Sequence, residues 1–179
     1  MKIESLRDLY LHELGDMYSA EKQIVKALPK MVKAASSDDL KKALKGHLAT
    51  TMKHVERLEK ILGKGGASRT KKCKGMEGIL EEGAEFLSED CDPNVLDAGI
   101  IAAAQRVEHY EIAGYGTLCA YARVLDEAQN LKLLSASLQE ENDSDRALSS
   151  IAEGCVNDLA AAAVEEVDES ETSQAYTSR

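Results

Sequence analysis

The sequence predicts an all-α fold, a four-helix bundle with a short connector helix between the second and third long helices. Ala, Leu, Glu and Lys dominate the composition, and only two prolines occur in 179 residues. Apolar residues also recur at three- and four-residue steps along four long segments, which places them on one face of each helix. Such faces are buried when helices pack into a bundle. We expect one domain over residues 1–163, followed by an acidic tail.

The first two predicted helices make up the first half of the bundle. One runs from about Ser5 to Ala35 and contains Pro29, which should kink it or end it early because proline removes a backbone donor. The Ser-Ser-Asp-Asp sequence of residues 36–39 supplies a turn and a helix cap. The second helix extends from about Asp39 to Leu62, where glycines end it.

The second half of the chain begins after a connector rich in glycine and lysine, residues 63–74. This connector could attract an anionic partner, but a solvated loop is the simpler interpretation. A short helix is expected over Met76–Leu87, a third long helix over Pro93–Leu125 and a fourth over Ala128–Ala163. The tail of residues 164–179 has little apolar surface to bury and is expected to be disordered.

Charge and cysteine content exclude several classes of protein. The formal net charge of −10 argues against sequence-independent binding to nucleic acid, which needs a basic face. No apolar run approaches the roughly 20 residues that span a bilayer, so no membrane association is expected. The four cysteines form no CxxC pair, so the spacing of a zinc finger is absent. No signal peptide is apparent either. We therefore expect a cytoplasmic protein with free thiols.

Ionisable side chains interrupt the apolar stripes of all four long helices. Glu21, for example, lies four residues after Met17 and three before Ile24. A single such residue usually lies at the edge of a stripe or is a hydrogen-bonded core residue. Buried carboxylates and an imidazole, spread over four facing helices, instead favour a metal site, because an unpaired buried charge is costly. The predicted ligands are Glu21, His54, Glu108, Glu111, Glu141 and Asp145.

The ligand types indicate which metals the site would take. Carboxylate oxygens with some imidazole suit iron and manganese, and zinc is a plausible substitute. From spacing alone, the number of metal ions stays open.

Several stretches of the chain carry a family resemblance. They are DMYSAEKQ at 16–23, KGMEGI at 74–79, AQRVEHYEIA at 104–113 and YGTL at 115–118. These stretches resemble the YciE/YciF family, bacterial stress-associated proteins with a ferritin-like fold. The similarity extends over about Leu6–Ala160, and the VEHYEIA block with its following Tyr-Gly is its most specific part.

The resemblance implies a ferritin-like four-helix bundle, usually a homodimer, with a di-iron site between the helices. It implies one ligand on the first helix, two on the third and a pair on the fourth, namely Glu21, Glu108, Glu111, Glu141 and Asp145. His54 is predicted as a ligand from its position on the apolar face of the second helix, not from the family resemblance.

One departure from the family concerns the second helix. Where many relatives read His-Leu-Glu-Glu-Thr, this chain reads His-Leu-Ala-Thr-Thr at 47–51. The glutamate that the resemblance implies as a bridging ligand is missing at Ala49 and Thr50, which leaves His54 and His47 on that helix. A di-iron centre, a single metal, an asymmetric pair and a polar core without metal all remain open.

Two functions are consistent with the sequence. The first is a ferritin-like stress-associated protein whose core metal site, with iron as the expected metal, handles O2 or peroxide. The alternative is a non-enzymatic structural stress protein that acts through self-association and keeps a vestigial or structural metal site.

Overall fold

Five α-helices account for most of the described part of the chain, which is residues 3–63 and 71–163 of a computed structural model. They are α1 (Leu6–Ala34), α2 (Asp38–Leu62), α3 (Lys74–Phe86), α4 (Pro93–Val124) and α5 (Ala128–Ile151). A π-helical turn, Ala152–Val156, follows α5, and helix resumes over 157–163. The expected tail and residues 64–70 of the basic connector lie outside the described residues.

The four long helices form a bundle in which each contacts two others. Helix α1 packs against α2 and α4, and α5 packs against the same two helices from the opposite corner. The short helix α3 packs against α4 and α1 on the outside of the bundle. This arrangement confirms the predicted all-α bundle with a connector helix between its second and third long helices.

Local sequence explains where the helices begin and end. The hydroxyl of Ser37 caps α2 by accepting from the Leu40 amide. Asp97 of α4 is almost fully buried and accepts the Ser36 and Ser37 amides, each at 2.7 Å. This carboxylate therefore fixes the turn between α1 and α2 against α4. Helix α1 continues through Pro29 to Ala34, so the proline does not end it early.

Two expectations about the chain as a whole can be compared with the structure. All four cysteines are free thiols, as predicted. No helix in the described ranges is both long enough and apolar enough to cross a membrane.

Gly99 provides a test of how α3 is held against α4. A Cβ atom added at residue 99 would lie 1.8 Å from Cε1 of Phe86, so Gly99→Ala must displace the ring at the end of α3. We expect this change to lower the free energy of unfolding by about 1–3 kcal/mol in urea titrations. Gly116→Ala on the same helix is the control, because a Cβ there meets nothing within 4 Å. The control should gain up to ~1 kcal/mol from helix propensity. Equal responses of the two variants would contradict the packing of Phe86 on Gly99.

Candidate metal centre

Five of the six predicted ligands meet in the middle of the bundle. Each is at most 1 % exposed, and they come from all four long helices: Glu21, His54, Glu108, Glu111 and Glu141. His47 of α2 joins them at 8 % exposure. The apolar periodicity of each helix thus brought its polar interruption to the bundle axis at a common depth.

The six side chains form two overlapping groups that could each hold a metal ion. The first, called here the His54 position, consists of Glu21, His54, Glu111 and Glu141. The second, called the His47 position, consists of His47, Glu108, Glu111 and Glu141. Within each group the ligand atoms lie within 4.8 Å of one another. Glu111 and Glu141 belong to both groups, so the cluster has the composition of a dinuclear site with two shared carboxylates.

Asp145, the sixth predicted ligand, lies outside both groups. Its Oδ1 accepts from Nε2 of Gln105 at 2.9 Å and lies 3.5 Å from Nε2 of His109. The residue one position earlier on α5, Ser144, is the one that contacts the cluster: its hydroxyl donates to Oε1 of Glu108 at 2.9 Å.

His47 was not among the six predicted ligands, although a signal for it is present in the sequence. It precedes His54 by seven residues, which is about two helical turns, so the two imidazoles share one face of α2. Thr51 lies between them on that face, fully buried, and its hydroxyl donates to the His47 carbonyl at 2.9 Å. His47, Thr51 and His54 therefore fill the inward face of α2 without an acid at residues 49 and 50. Ala49 is exposed and Thr50 is half-buried.

Unpaired polar atoms show that the cluster is suited to cations. Among the described residues, nine buried side-chain N or O atoms lack a hydrogen-bond partner, and all but the Tyr10 hydroxyl belong to this cluster. They include both carboxylate oxygens of Glu111 and of Glu141, Nε2 of His47 and Nδ1 of His54. His54 Nδ1 lies 2.8 Å from Oε1 of Glu141, which is an ion-pair distance when the imidazole is protonated. Such atoms are costly to bury unless something binds them. Two divalent cations would fit: their four positive charges balance four carboxylates, with both imidazoles neutral.

Without metal, the cluster holds protons instead. Burial and the adjacent Glu141 raise the pKa of Glu108 to about 9. Burial, followed by the charge of Glu21, raises the pKa of Glu111 well above its ordinary value. Burial alone would lower the pKa of His54, but the carboxylates of Glu141 and Glu21 outweigh it and raise that pKa to about 10. Metal ions must therefore displace protons when they bind.

Neighbouring side chains orient both imidazoles. Nε2 of His54 lies 2.8 Å from Oε2 of Glu140. Because a carboxylate can only accept, Nε2 carries a proton and donates it to Glu140, and Nδ1 is the nitrogen that faces the cluster. Arg57 holds Glu140 through both of its terminal nitrogens, one at 3.0 Å, and lowers the pKa of that carboxyl to about 2. Because the only hydroxyl proton of Ser144 goes to Glu108, Nδ1 of His47, 3.2 Å away, donates to Ser144. Nε2 of His47 is then free to bind a metal.

Tyr115 of α4 adds a hydrogen bond inside the cluster. Its fully buried hydroxyl donates to Oε1 of Glu21, and its ring packs edge-on against His54 with centroids 5.6 Å apart. Burial, reinforced by the charge of Glu21, raises the pKa of this phenol well above its ordinary value. Tyr115 therefore remains a proton donor and fixes the orientation of Glu21.

Comparisons with known proteins agree with the fold and with the sequence resemblance. The family DUF892, described as a domain of unknown function, matches residues 5–161. Protein YciF of Escherichia coli strain K12 is 40% identical over 159 residues, which cover 88% of this chain and 96% of YciF. The crystal structure of the E. coli stress protein YciF matches with a TM-score of 0.82 at 39% identity, covering 87% of this chain and 99% of that one. YcfI of Rhodopseudomonas palustris matches with a TM-score of 0.80 at 43% identity, covering 83% and 96% of the two chains. The chain therefore belongs to the DUF892 family, as its resemblance to the YciF proteins predicted.

Proposed function

We propose that this protein is a stress-associated protein that binds two iron ions in its bundle core and handles O2 or peroxide there. The observation that carries the proposal is the sharing of Glu111 and Glu141 between two four-residue ligand groups. One metal ion would leave the other group with unpaired buried atoms, whereas two ions would use both. The membership of the family and the stress-protein description of YciF are consistent with this role.

The donor set favours iron over softer metals. Four carboxylates and two imidazoles are hard or intermediate ligands, and no cysteine belongs to either group. Iron and manganese suit such a set, and zinc could occupy the same positions without redox chemistry. Glu21 and His54 would hold one ion, His47 and Glu108 the other, and Glu111 and Glu141 both.

Ferrous iron bound there would supply electrons for the reduction of O2 or peroxide. The chain's own residues bind the ions, hold the ligands in position and exclude water. Glu140, clamped by Arg57, keeps Nδ1 of His54 directed inward, and Tyr115 fixes Glu21. The burial of Glu21, Glu111 and Glu141 keeps bulk water from these three carboxylates.

The oxidative part of the proposal is tested by loading the protein with ferrous iron without oxygen and then adding hydrogen peroxide. We expect ferric absorbance in the near ultraviolet to appear faster than in a protein-free iron solution. The same experiment with O2 identifies the preferred oxidant. Bound ferrous iron that oxidises no faster than free iron would contradict this role. That result would favour a structural stress protein acting through self-association.

Thr50→Glu tests the effect of the missing second-helix glutamate. Thr50 lines the same cavity as His47 and Glu108, so a carboxylate there can reach the His47 position. We expect Thr50→Glu to tighten metal binding, measured by competition with a chromophoric chelator. Ala49→Glu is the matched control, because Ala49 is exposed and its variant should bind metal as the wild type does. An identical affinity of the two variants would show that residue 50 does not face the site.

The homodimer implied by the family resemblance stays a prediction. Light scattering on the purified protein should give twice the mass of one chain, and the mass of a single chain would contradict it.

A further inference from the structure

The two metal positions differ in their access to solvent. A cavity of about 540 Å³ lies between α2 and α5, and its lining includes Leu44, His47, Thr50, Glu108, Ser144 and Leu148. His47 and Glu108 thus form part of the cavity wall. Glu21 and His54 are fully buried and do not line this cavity.

The two positions also differ in what holds their imidazoles. His54 contacts the ionised carboxylate of Glu140, which Arg57 fixes in turn. Nδ1 of His47, the nitrogen that faces away from the metal position, contacts the neutral hydroxyl of Ser144 instead of a carboxylate. A carboxylate behind a metal-bound imidazole raises its basicity and strengthens its bond to the metal, and loss of such outer partners typically weakens metal binding by about 10–100-fold. The His54 position therefore has the stronger support.

From these differences we infer that the two metal positions have separate roles. The His54 position retains its ion, whereas the His47 position loads, exchanges its ion and meets the small oxidant through the cavity between α2 and α5. This inference rests on the proposed binding of two metal ions.

The rim of the cavity suits the passage of a cation. Asp39 and Asp143 line it together with a single lysine, Lys42, and Asp143 also pairs with Arg146 at 3.0 Å. Glu140 lines it as well, with its carboxylate paired to Arg57 and in contact with His54. Carboxylates concentrated at the mouth of a low-dielectric cavity raise the local concentration of cations. Because neither Glu21 nor His54 lines the cavity, it offers no direct exit to an ion at the His54 position.

The experiment measures how fast two Co²⁺ ions leave the protein. Cobalt suits the same carboxylate and imidazole ligands, and its visible absorbance reports occupancy without any redox reaction. After loading to saturation, excess EDTA is added and the absorbance is followed. We expect two phases of equal stoichiometry, one ion per chain in each, with rates at least about tenfold apart.

Variants assign the phases to positions. His47→Ala should leave one ion per chain, lost at the slow rate, and His54→Ala should remove the slow phase. Gly46→Leu should fill the cavity mouth, because Gly46 lines the cavity and a Cβ there meets nothing within 4 Å. This variant should slow the fast phase severalfold and leave the slow phase and the number of bound ions unchanged. Gly78→Leu is the control, since residue 78 is exposed on α3, away from this cavity, and a Cβ there also meets nothing.

The outcomes separate the inference from the proposed function. Fewer than two Co²⁺ per chain at saturation would overturn the dinuclear site itself. Two ions lost at one common rate would overturn the inference alone, and so would a Gly46→Leu variant with unchanged rates. A His47→Ala variant whose remaining ion leaves at the fast rate would also overturn it, because the retained ion would then lie at the wrong position. Circular dichroism of each variant shows that the helices are intact.

Discussion

Glu111→Gln is expected to abolish binding of both metal ions, reducing the bound metal from about two ions per chain to less than one. Glu111 is fully buried and is one of two carboxylates common to the two ligand groups. An amide has the same shape as the carboxylate but lacks its charge, so it cannot replace a shared anionic ligand. Metal content after loading, measured by elemental analysis, gives the result directly.

The same variant should fold at least as well as the wild type when both are free of metal. A neutral side chain of equal shape relieves the crowding of buried acids, and such replacements are commonly neutral or stabilising. Asp145→Asn is the control, because Asp145 lies outside both groups and its loss should leave both ions bound. Full metal binding by Glu111→Gln, or loss of metal in Asp145→Asn, would contradict the ligand assignment.

The metal-free protein is expected to lose stability as pH rises from about 5 to about 9. Glu108 has an ordinary pKa of 4.5 that burial and Glu141 raise to about 9 in the folded chain. The folded chain therefore holds a proton that the unfolded chain has released, and its stability falls as pH rises through that window. His54 acts in the same direction, because its pKa of about 10 in the folded chain exceeds the ordinary 6.5. The loss should be on the order of a few kcal/mol.

Urea unfolding in EDTA at several pH values measures this effect. Glu108→Gln is the control, since it lacks the titrating proton and should show a shallower fall. With saturating metal the trend should be reversed, because binding requires the deprotonated ligands and therefore strengthens as pH rises. A metal-free stability that is flat or rising between about pH 5 and 9 would contradict the protonated cluster.

The helices could be predicted closely from the sequence, because each has a periodic apolar face and several have clear end signals. Ser37, Asp92 and the glycine at 63 mark ends that the structure places within one or two residues of prediction. The π-helical turn at Ala152–Val156 was not predicted, since the apolar spacing there is still compatible with an α-helix. The role of Asp97 was not predicted either, because its partners are backbone amides of the turn between α1 and α2.

The residue types of the candidate site could be predicted from the sequence, but the individual residues that form it could be predicted less well. Periodicity gives the face of a helix, which brought Glu21, Glu108 and Glu141 to the core. It does not give the rotation of the helix about its own axis closely enough to choose between neighbouring residues. On α5, Ser144 is the residue that contacts the cluster, and Asp145 accepts a hydrogen bond from Gln105 instead. The sharing of Glu111 and Glu141 depends on how four helices meet and has no signature in the spacing of any single helix.

The central claim is that this bundle core binds two metal ions, and the most direct test is to count them. The protein is loaded with ferrous iron in the absence of oxygen, freed of excess metal by gel filtration, and analysed for iron and protein. The dinuclear site predicts about two iron ions per chain, with a higher melting temperature than the metal-free protein. No retained metal, and a melting temperature that iron does not change, would contradict it.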